Sequence, residues 1–581
     1  MKVPENVQKA GFTMSNVGLV IALHVGVAAT FVGCARPVAY LPQESAPVEA
    51  KLIQETVMTP PSAPAPPPPA EMYQPQSSIA SATAVMPASA PAPAFIPPGP
   101  AGSELSTAQF PDQQANRSAL VAEQPVSTFS IDVDTAAYSV VRRSLTEGAM
   151  PLVQAVRVEE MINYFPYQYA PPATREQPIA VVTEVMPSPW KPGNQLVHIA
   201  IKGYEMAAAQ RPPINTVLLI DVSGSMASED RLPLLQKSFR LFAEQLRDND
   251  RVSIVTYANG TSVLLEPTAG SQKHKIIEAI AALGAGGGTA GGEGLERAYA
   301  MARKNFDPHS VNRVILATDG DFNVGISDPA QLEAFIAAKR KSGVYLSILG
   351  VGTNNLNDRL IQRLAQAGNG NAAYIDTLPE ARKALSSDLG STMFPIANDV
   401  KVQVEFNPDA VAMYRLVGYE TRMLARQDFK DDRVDAGDMG AGHTVTAIYE
   451  ITPAGAQADV PDSLRYAKTK QAPAVSTAAR NKDELCFVKL RYKLPGESTS
   501  RLMEHVVHAS AARKSIEAVP AEQRFGVAVA AFGQRLRGET ALADFSYRQI
   551  ASLAEGSQAP DQQGYRAEFL KLVRTADRLA P

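Results

Sequence analysis

Cysteine is almost missing from this chain: its 581 residues include two, Cys34 and Cys486, and a single tryptophan. So few thiols exclude a disulfide framework, and stability must come from packed cores. A basic excess is missing too. Lys and Arg total 55 against 59 Asp and Glu, a net charge of -4, which leaves no electrostatic footprint for nucleic acid. The uncharged run Val17 to Gly33 is short for a membrane span, contains His24 and leads into proline-rich sequence. Familiar catalytic signatures are absent as well. Ser223 lacks the flanking glycines of a nucleophile elbow, and Glu504-His505-Val506-Val507-His508 is not the His-Glu-x-x-His order of metalloproteases.

What is present begins with an address. Lys2 and Lys9, a short apolar stretch and a small residue before the cut describe a secretory signal over residues 1–33. Phe31-Val32-Gly33-Cys34 resembles a bacterial lipobox, in which Cys34 becomes the lipidated first residue; Phe31 stands where Leu is usual. Acylation there is enough for stable anchoring. Ala35, rather than an acidic residue, points to the outer membrane, so the expected location is the bacterial envelope, periplasmic or surface-exposed. Residues 34–125 form a Pro/Ala-rich tether, with Pro60-Pro61-Ser62-Ala63-Pro64-Ala65-Pro66-Pro67-Pro68-Pro69 at its stiffest point. Its reach is on the order of 100–200 Å.

Folded sequence starts near Phe129, and the length predicts about three or four domains. Residues 126–210 read as a flanking α+β region. Phe129 to Asp134 reads as a strand, Thr135 as the cap of a helix over Ala136 to Glu147, and Val156 to Tyr164 as a second helix. In the alternating segment that follows, Val197, Ile199 and Ile201 share one face while His198, Ala200 and Lys202 share the other, the mark of a half-buried strand. Residues 211–391 alternate strand and helix, which predicts a mostly parallel, doubly wound sheet, with an edge hairpin near Ser262 to Leu265. Residues 392–581 return to strands near Val400 to Phe406, Val445 to Ile451 and Leu485 to Tyr492. Helices follow near Arg501 to Ile516, Phe525 to Arg537 and Ala567 to Arg578. Gly455 to Lys482 reads as a long surface loop. Strands on both sides of the α/β domain are expected to pair into one β-sandwich, with that domain inserted.

The chemistry concentrates at one junction. Asp221-Val222-Ser223-Gly224-Ser225 follows the apolar run Val217-Leu218-Leu219-Ile220, so a buried strand ends in a carboxylate and two hydroxyls turned by a glycine. Thr289 in a glycine-rich loop and Asp319 after Val314-Ile315-Leu316-Ala317 supply two further oxygens. Two carboxylates and three hydroxyls suit Mg²⁺, or Mn²⁺ or Ca²⁺, rather than zinc or copper. Ligands in such sheets bind beyond the carboxyl ends of the strands, where Asp221 and Asp319 both fall. Each residue alone has an ordinary explanation as a turn former or helix cap; agreement among three segments carries the assignment.

Asp221-x-Ser223-x-Ser225, Thr289 and Thr318-Asp319-Gly320 resemble the metal-ion-dependent adhesion site (MIDAS) of von Willebrand factor A domains. The wider chain is similar to YfbK-type bacterial lipoproteins, through Phe129 to Thr135, Glu159 to Phe165, Asp435-Ala436-Gly437 and Gly440 to His443. The resemblance implies direct ligation by the hydroxyls and direct or water-mediated ligation by the carboxylates. It also implies a protein partner whose Asp or Glu carboxylate completes the coordination, and closed and open states that differ in the domain's last helix. The expected function is therefore divalent-cation-dependent protein binding, in adhesion or scaffolding, without enzyme activity. The competing expectation is a metal-dependent hydrolase or nucleotide-binding enzyme using the same cleft, which lacks a general base, a phosphate-loop lysine and a catalytic histidine.

Other motifs read as structure. Gly286-x-Gly288-x-x-Gly291 with Asp307 downstream fits the dinucleotide fingerprint, but His274 to Leu283 before it reads as helix where that fingerprint needs a strand. Asp132-Val133-Asp134-Thr135 reads as a strand end with a cap. Glu504 to His508 reads as a helix surface patch, and Asp428, Asp431, Asp432, Asp435 and Asp438 as a solvated turn. Cys486 shares a strand face with Val488, Leu490 and Tyr492, as a core residue does.

Overall fold

The structure is a computed structural model that describes residues 110, 114–288, 292–320, 328–352, 357–388, 393–434, 436–456, 483–557 and 560–580. The signal segment, Cys34, Thr289, Asp435 and most of the 455–482 loop therefore lie outside the described residues, as does nearly all of the tether.

The flanking region opens with β1 (Ala119–Leu120), β2 (Val126–Ser130), α1 (Ala136–Thr146), α2 (Val158–Asn163), β3 (Ile179–Pro187) and β4 (Gln195–Gly203). The inserted domain runs β5 (Ile214–Asp221), α3 (Leu232–Glu244), β6 (Arg251–Tyr257), β7 (Thr261–Ala269), α4 (Lys273–Ala281), α5 (Gly292–Lys304), β8 (Val311–Thr318), α6 (Pro329–Arg340), β9 (Val344–Val351), α7 (Asp358–Ala367), β10 (Ala372–Ile375) and α8 (Leu378–Arg382). Its six strands lie in the order β7-β6-β5-β8-β9-β10, all parallel except the edge strand β7. Successive residues of β5 feed opposite cores: Leu218 and Ile220 pack with Leu235 and Phe239 of α3, Val217 and Leu219 with Leu295 and Tyr299 of α5. A strand buried on both faces must be a continuous apolar run, which Val217 to Ile220 is. The strand order reverses between β5 and β8, the switch point where a crevice opens beyond the strand ends.

After the insertion come β11 (Pro395–Phe406), β12 (Val411–Leu416), β13 (Met439–Gly440), β14 (Thr444–Pro453), β15 (Glu484–Lys493) and β16 (Ser500–His508). They pair with strands from before it. One sheet is β1-β12-β14-β4-β3; the other is β13-β11-β15-β16, with β2 also on β11. The sandwich core joins Val197, Ile199 and Ile201 of β4 to Val400, Val402 and Val404 of β11. Helices α9 (Ala521–Leu536), α10 (Tyr547–Glu555) and α11 (Tyr565–Leu579) close the chain and pack with α1 and α2 over the first sheet.

Several expectations need correction. The segment expected as helix from Arg501 is strand β16. It pairs along the whole of β15 across a turn at Gly496, and that ladder outweighs a modest helix propensity. Glu504 to His508 is accordingly no helix patch: the His505 Nε2 lies 3.0 Å from Thr183 Oγ1, and His508 Nδ1 lies 3.3 Å from Asp483. Thr135 makes no capping hydrogen bond; the first turn of α1 is met instead by Glu160, whose Oε2 accepts from Ala137 N at 2.9 Å. The second face of β4 is buried as well, because the closing helices cover it. His198 there is fully enclosed, and burial pushes its imidazole down to about 3. Asp438 is no solvated turn residue, since it accepts from Asp399 N and Asn369 Nδ2. Asp134 is buried between Arg422 and the Ala372 amide. Cys486, by contrast, is the buried core residue expected, and burial pushes its thiol up to about 12.

Candidate metal centre

Two parallel strands side by side deliver the two carboxylates. β5 ends at Asp221, β8 ends at Thr318, and Ile220 lies opposite Ala317 in the register. Both Asp221 and Asp319 are buried, at 0% and 1% exposure. The turn after β5 is held from below by Val222 N, which donates to Tyr257 O at 3.0 Å. Within the turn, Ser223 N donates to Asp221 Oδ1 at 2.9 Å, fixing that carboxylate's orientation. The hydroxyls of Ser223 and Ser225 lie 3.0 Å apart. Gly224 and Ser225 are exposed, so the group opens to solvent on that side.

The glycine-rich loop docks directly on this turn. Gly286 N donates to Val222 O at 2.8 Å and Gly224 N to Gly287 O at 2.9 Å, while Gly288 N is received by Asn259 Oδ1. Gly287 has φ of +86°, and a Cβ there would sit 2.6 Å from Asn259 Nδ2, so a side chain is excluded on both counts. Thr289 follows next but lies outside the described residues. The structure thus brings Asp221, Ser223, Ser225 and Asp319 to one rim.

The other oxygen of Asp221 decides what this rim can hold. Oδ2 is buried without a well-formed hydrogen bond among the described residues; the buried Tyr257 hydroxyl lies near the carboxylate and interacts with it, but not in good hydrogen-bonding geometry. Burial, with the neighbouring Asp319 adding to it, raises the Asp221 carboxyl to about 6 against the opposing Ser223 and Tyr257 contacts. A buried carboxylate oxygen with no more than a poorly placed hydroxyl beside it is costly unless a cation or a proton meets it. The donor set around it, hydroxyls and carboxylates without sulfur or imidazole, fits a hard divalent ion. Among the described residues no group of three or more His, Cys, Asp or Glu is gathered, so the hydroxyls are needed to complete the set.

Arg231 was not among the residues the motif pointed to. Its NH1 donates to Asp319 Oδ2 and to Ser225 O, both at 2.7 Å, and so ties the two segments together. The guanidinium fits because Gly352, with φ of +75°, leaves room: a Cβ there would lie within 3.0 Å of the Arg231 side chain. A signal was available, since Arg231 directly precedes α3, where the helix dipole disfavours a cation that has no acidic partner.

With this geometry the kinship is clear. Residues 215–387 match the von Willebrand factor type A domain family, residues 391–579 the family described as uncharacterized protein YfbK, C-terminal, and residues 104–198 that described as von Willebrand factor. The chain is 43% identical over 477 residues to the uncharacterized protein YfbK of Escherichia coli (strain K12), covering 81% of each. The chain belongs to the YfbK family. Its inserted domain is a von Willebrand factor type A domain, and β5 through α8 coincide with the matched span. A more distant similarity is to human inter-alpha-trypsin inhibitor heavy chain H3, 26% identical over 229 residues, 37% of this chain and 25% of that one. Among solved structures, the von Willebrand factor type A protein from Catenulispora acidiphila is 17% identical and covers 68% of this chain and 89% of its own, with a TM-score of 0.38.

Proposed function

We propose that this YfbK-family chain is a divalent-cation-dependent protein-binding lipoprotein of the bacterial envelope, acting in adhesion or as a scaffold. The observation that carries the reading is the buried Asp221 Oδ2, which has no well-formed hydrogen bond among the described residues, beside two facing hydroxyls at the switch point of the sheet. Asp221, Ser223, Ser225 and Asp319, with Thr289, would hold a Mg²⁺-type ion. Bound there, the ion supplies a Lewis-acidic centre that an Asp or Glu carboxylate of a partner protein can complete.

The chain's own residues prepare that contact. β5 and β8 fix the two carboxylates on neighbouring strands, and Ser223 N holds one oxygen of Asp221 in place. Arg231 offsets part of the negative charge on Asp319 and holds the Ser225 carbonyl, so the turn keeps its shape when two acids lie close. Exposed Gly224 and Ser225 leave the approach open to a side chain from outside. Lipidation at Cys34 and the long tether would present this rim away from the membrane; among the described residues no helix is long and apolar enough to cross one.

The test is a cross-linking capture from intact envelopes with the full-length chain, with and without EDTA, and with Asp221→Ala. A partner captured only with divalent ion and only by the wild-type rim supports the proposal. Capture unchanged by both treatments overturns it.

A further inference from the structure

Arg231 is a cation already seated at the metal rim. One nitrogen, NH1, reaches both Asp319 Oδ2 and Ser225 O at 2.7 Å, so it touches two of the segments that carry the ligands. Two carboxylates and one guanidinium leave the rim a single net negative charge. A divalent ion arriving there meets a positive charge on one of the two acids it needs. Like charges in a partly enclosed site repel strongly, because little water lies between them to screen the pair.

The way Arg231 is held suits exchange rather than permanent bracing. Arg157, which joins the inserted domain to its flanks, has a fully buried side chain and commits Nε, NH1 and NH2 to Glu160 and Asp358. The Arg231 side chain keeps 13% exposure and engages through NH1, while its Nε has no well-formed hydrogen bond among the described residues. Its seat is a gap left by Gly352, where a Cβ would lie 2.4 Å from that Nε. The seat is fixed from the far side: the Tyr374 hydroxyl donates to Gly352 O, and Arg143 NH1 of α1 donates to the Tyr374 oxygen at 3.2 Å. None of these bonds involves the Arg231 side chain, so the cradle does not depend on its occupant.

We propose that Arg231 is the resident counter-cation of the rim and competes with the divalent ion for Asp319, which lowers the rim's affinity for that ion. The inference deepens the cation-dependent reading of the rim and rests on it. While no metal is bound, the guanidinium offsets Asp319 and keeps two close acids from opposing each other's ionisation. With the ion in place, the same charge leaves the group of ion, two acids and arginine with one net positive charge rather than none. That surplus draws a partner's carboxylate. Arg231 thus weakens the hold on the ion and strengthens the pull on the partner.

Calorimetric titration of the metal-free full chain in detergent with Mg²⁺ tests it, with the thermal midpoint read in EDTA and again at saturating Mg²⁺. The expected result is that Arg231→Gln binds Mg²⁺ roughly tenfold tighter than wild type, while Arg231→Lys, which keeps the charge, stays within about threefold of wild type. The rise in midpoint from EDTA to Mg²⁺ is also larger in Arg231→Gln, since the ion then replaces the missing cation. A residue that merely braced the turn would lower the midpoint equally in both solutions and leave binding unchanged or weaker. Arg231→Gln binding no tighter than wild type, or Arg231→Lys binding as tightly as Arg231→Gln, overturns the inference and leaves the metal rim standing. No Mg²⁺ binding by either wild type or Arg231→Gln overturns the rim and this inference together. Gly352→Ala crowds the guanidinium off its seat and carries the same expectation of tighter binding. That variant decides the matter should Arg231→Gln fail to fold in both solutions.

Discussion

Two groups of buried carboxylates in this molecule are built on opposite plans. Where the inserted domain joins its flanks, acids are matched by guanidinium groups. Arg157, fully buried, meets Glu160 and Asp358, with 2.7 Å between its NH1 and Asp358 Oδ2. Arg142 meets Asp376 and Glu380, and Arg422 meets Asp132 and Asp134. At the rim, Asp319 is met by Arg231 while one oxygen of Asp221 has neither a cation nor a well-formed hydrogen bond among the described residues. The first arrangement ties parts of the fold together; the second is incomplete until something arrives. Buried charge is thus evidence of structure where pairing is complete, and of binding where it stops short.

Removing a guanidinium from the matched group should have the largest effect. Arg157→Met leaves Glu160 and Asp358 buried without their cation, and is expected to cost about 3–5 kcal/mol or to prevent folding. Urea unfolding checks this, and a loss under about 1 kcal/mol would erase the distinction between the two groups. Glu159 sharpens the comparison from the other side. Neither of its buried oxygens has a well-formed hydrogen bond among the described residues, and burial, then Glu420 and Glu160, raise its carboxyl to about 7 against the pull of the Tyr419 amide. Among the described residues no cluster of metal-ligating side chains gathers around it, so a proton rather than a metal is its remedy. Because its folded value exceeds the unfolded one, its stability contribution is complete below about pH 4.5 and is lost as pH rises through about 7. Glu159→Gln should therefore gain roughly 2–3 kcal/mol on wild type at pH 8 and flatten the slope between pH 5 and 8. An unchanged slope contradicts it. The smallest effect belongs to the rim. In EDTA, Asp221→Asn should be neutral or stabilising by up to about 1 kcal/mol, since it removes charge from an unmet group. With Mg²⁺ added, the melting midpoint should rise in wild type and stay fixed in the variant. A variant as destabilised in EDTA as Arg157→Met would place Asp221 in the matched group after all.

The rim was legible from sequence because each of its parts is local. An apolar run buried on both faces ends at Asp221, a second ends beside Asp319, and parallel pairing sets them side by side. The sandwich was legible from alternation at Val197 to Ile201 and Val400 to Phe406. What escaped depended on partners distant in the chain. Arg157 and Asp358 are 201 residues apart, and nothing near either announces the other. β16 looked helical because its strand character comes from the hairpin with β15, and β4 looked half exposed because its cover, α9 to α11, lies more than 300 residues on. Helix α10 was overlooked although Ser546 and Gln549 form a capping box that can be read directly.

The most direct test of the central claim is calorimetric titration of the metal-free full chain with Mg²⁺ or Mn²⁺. A single saturable site that disappears in Asp221→Ala and in Asp319→Ala is the predicted result. Divalent binding that persists unchanged in both variants, or is absent from the wild-type chain, would contradict it.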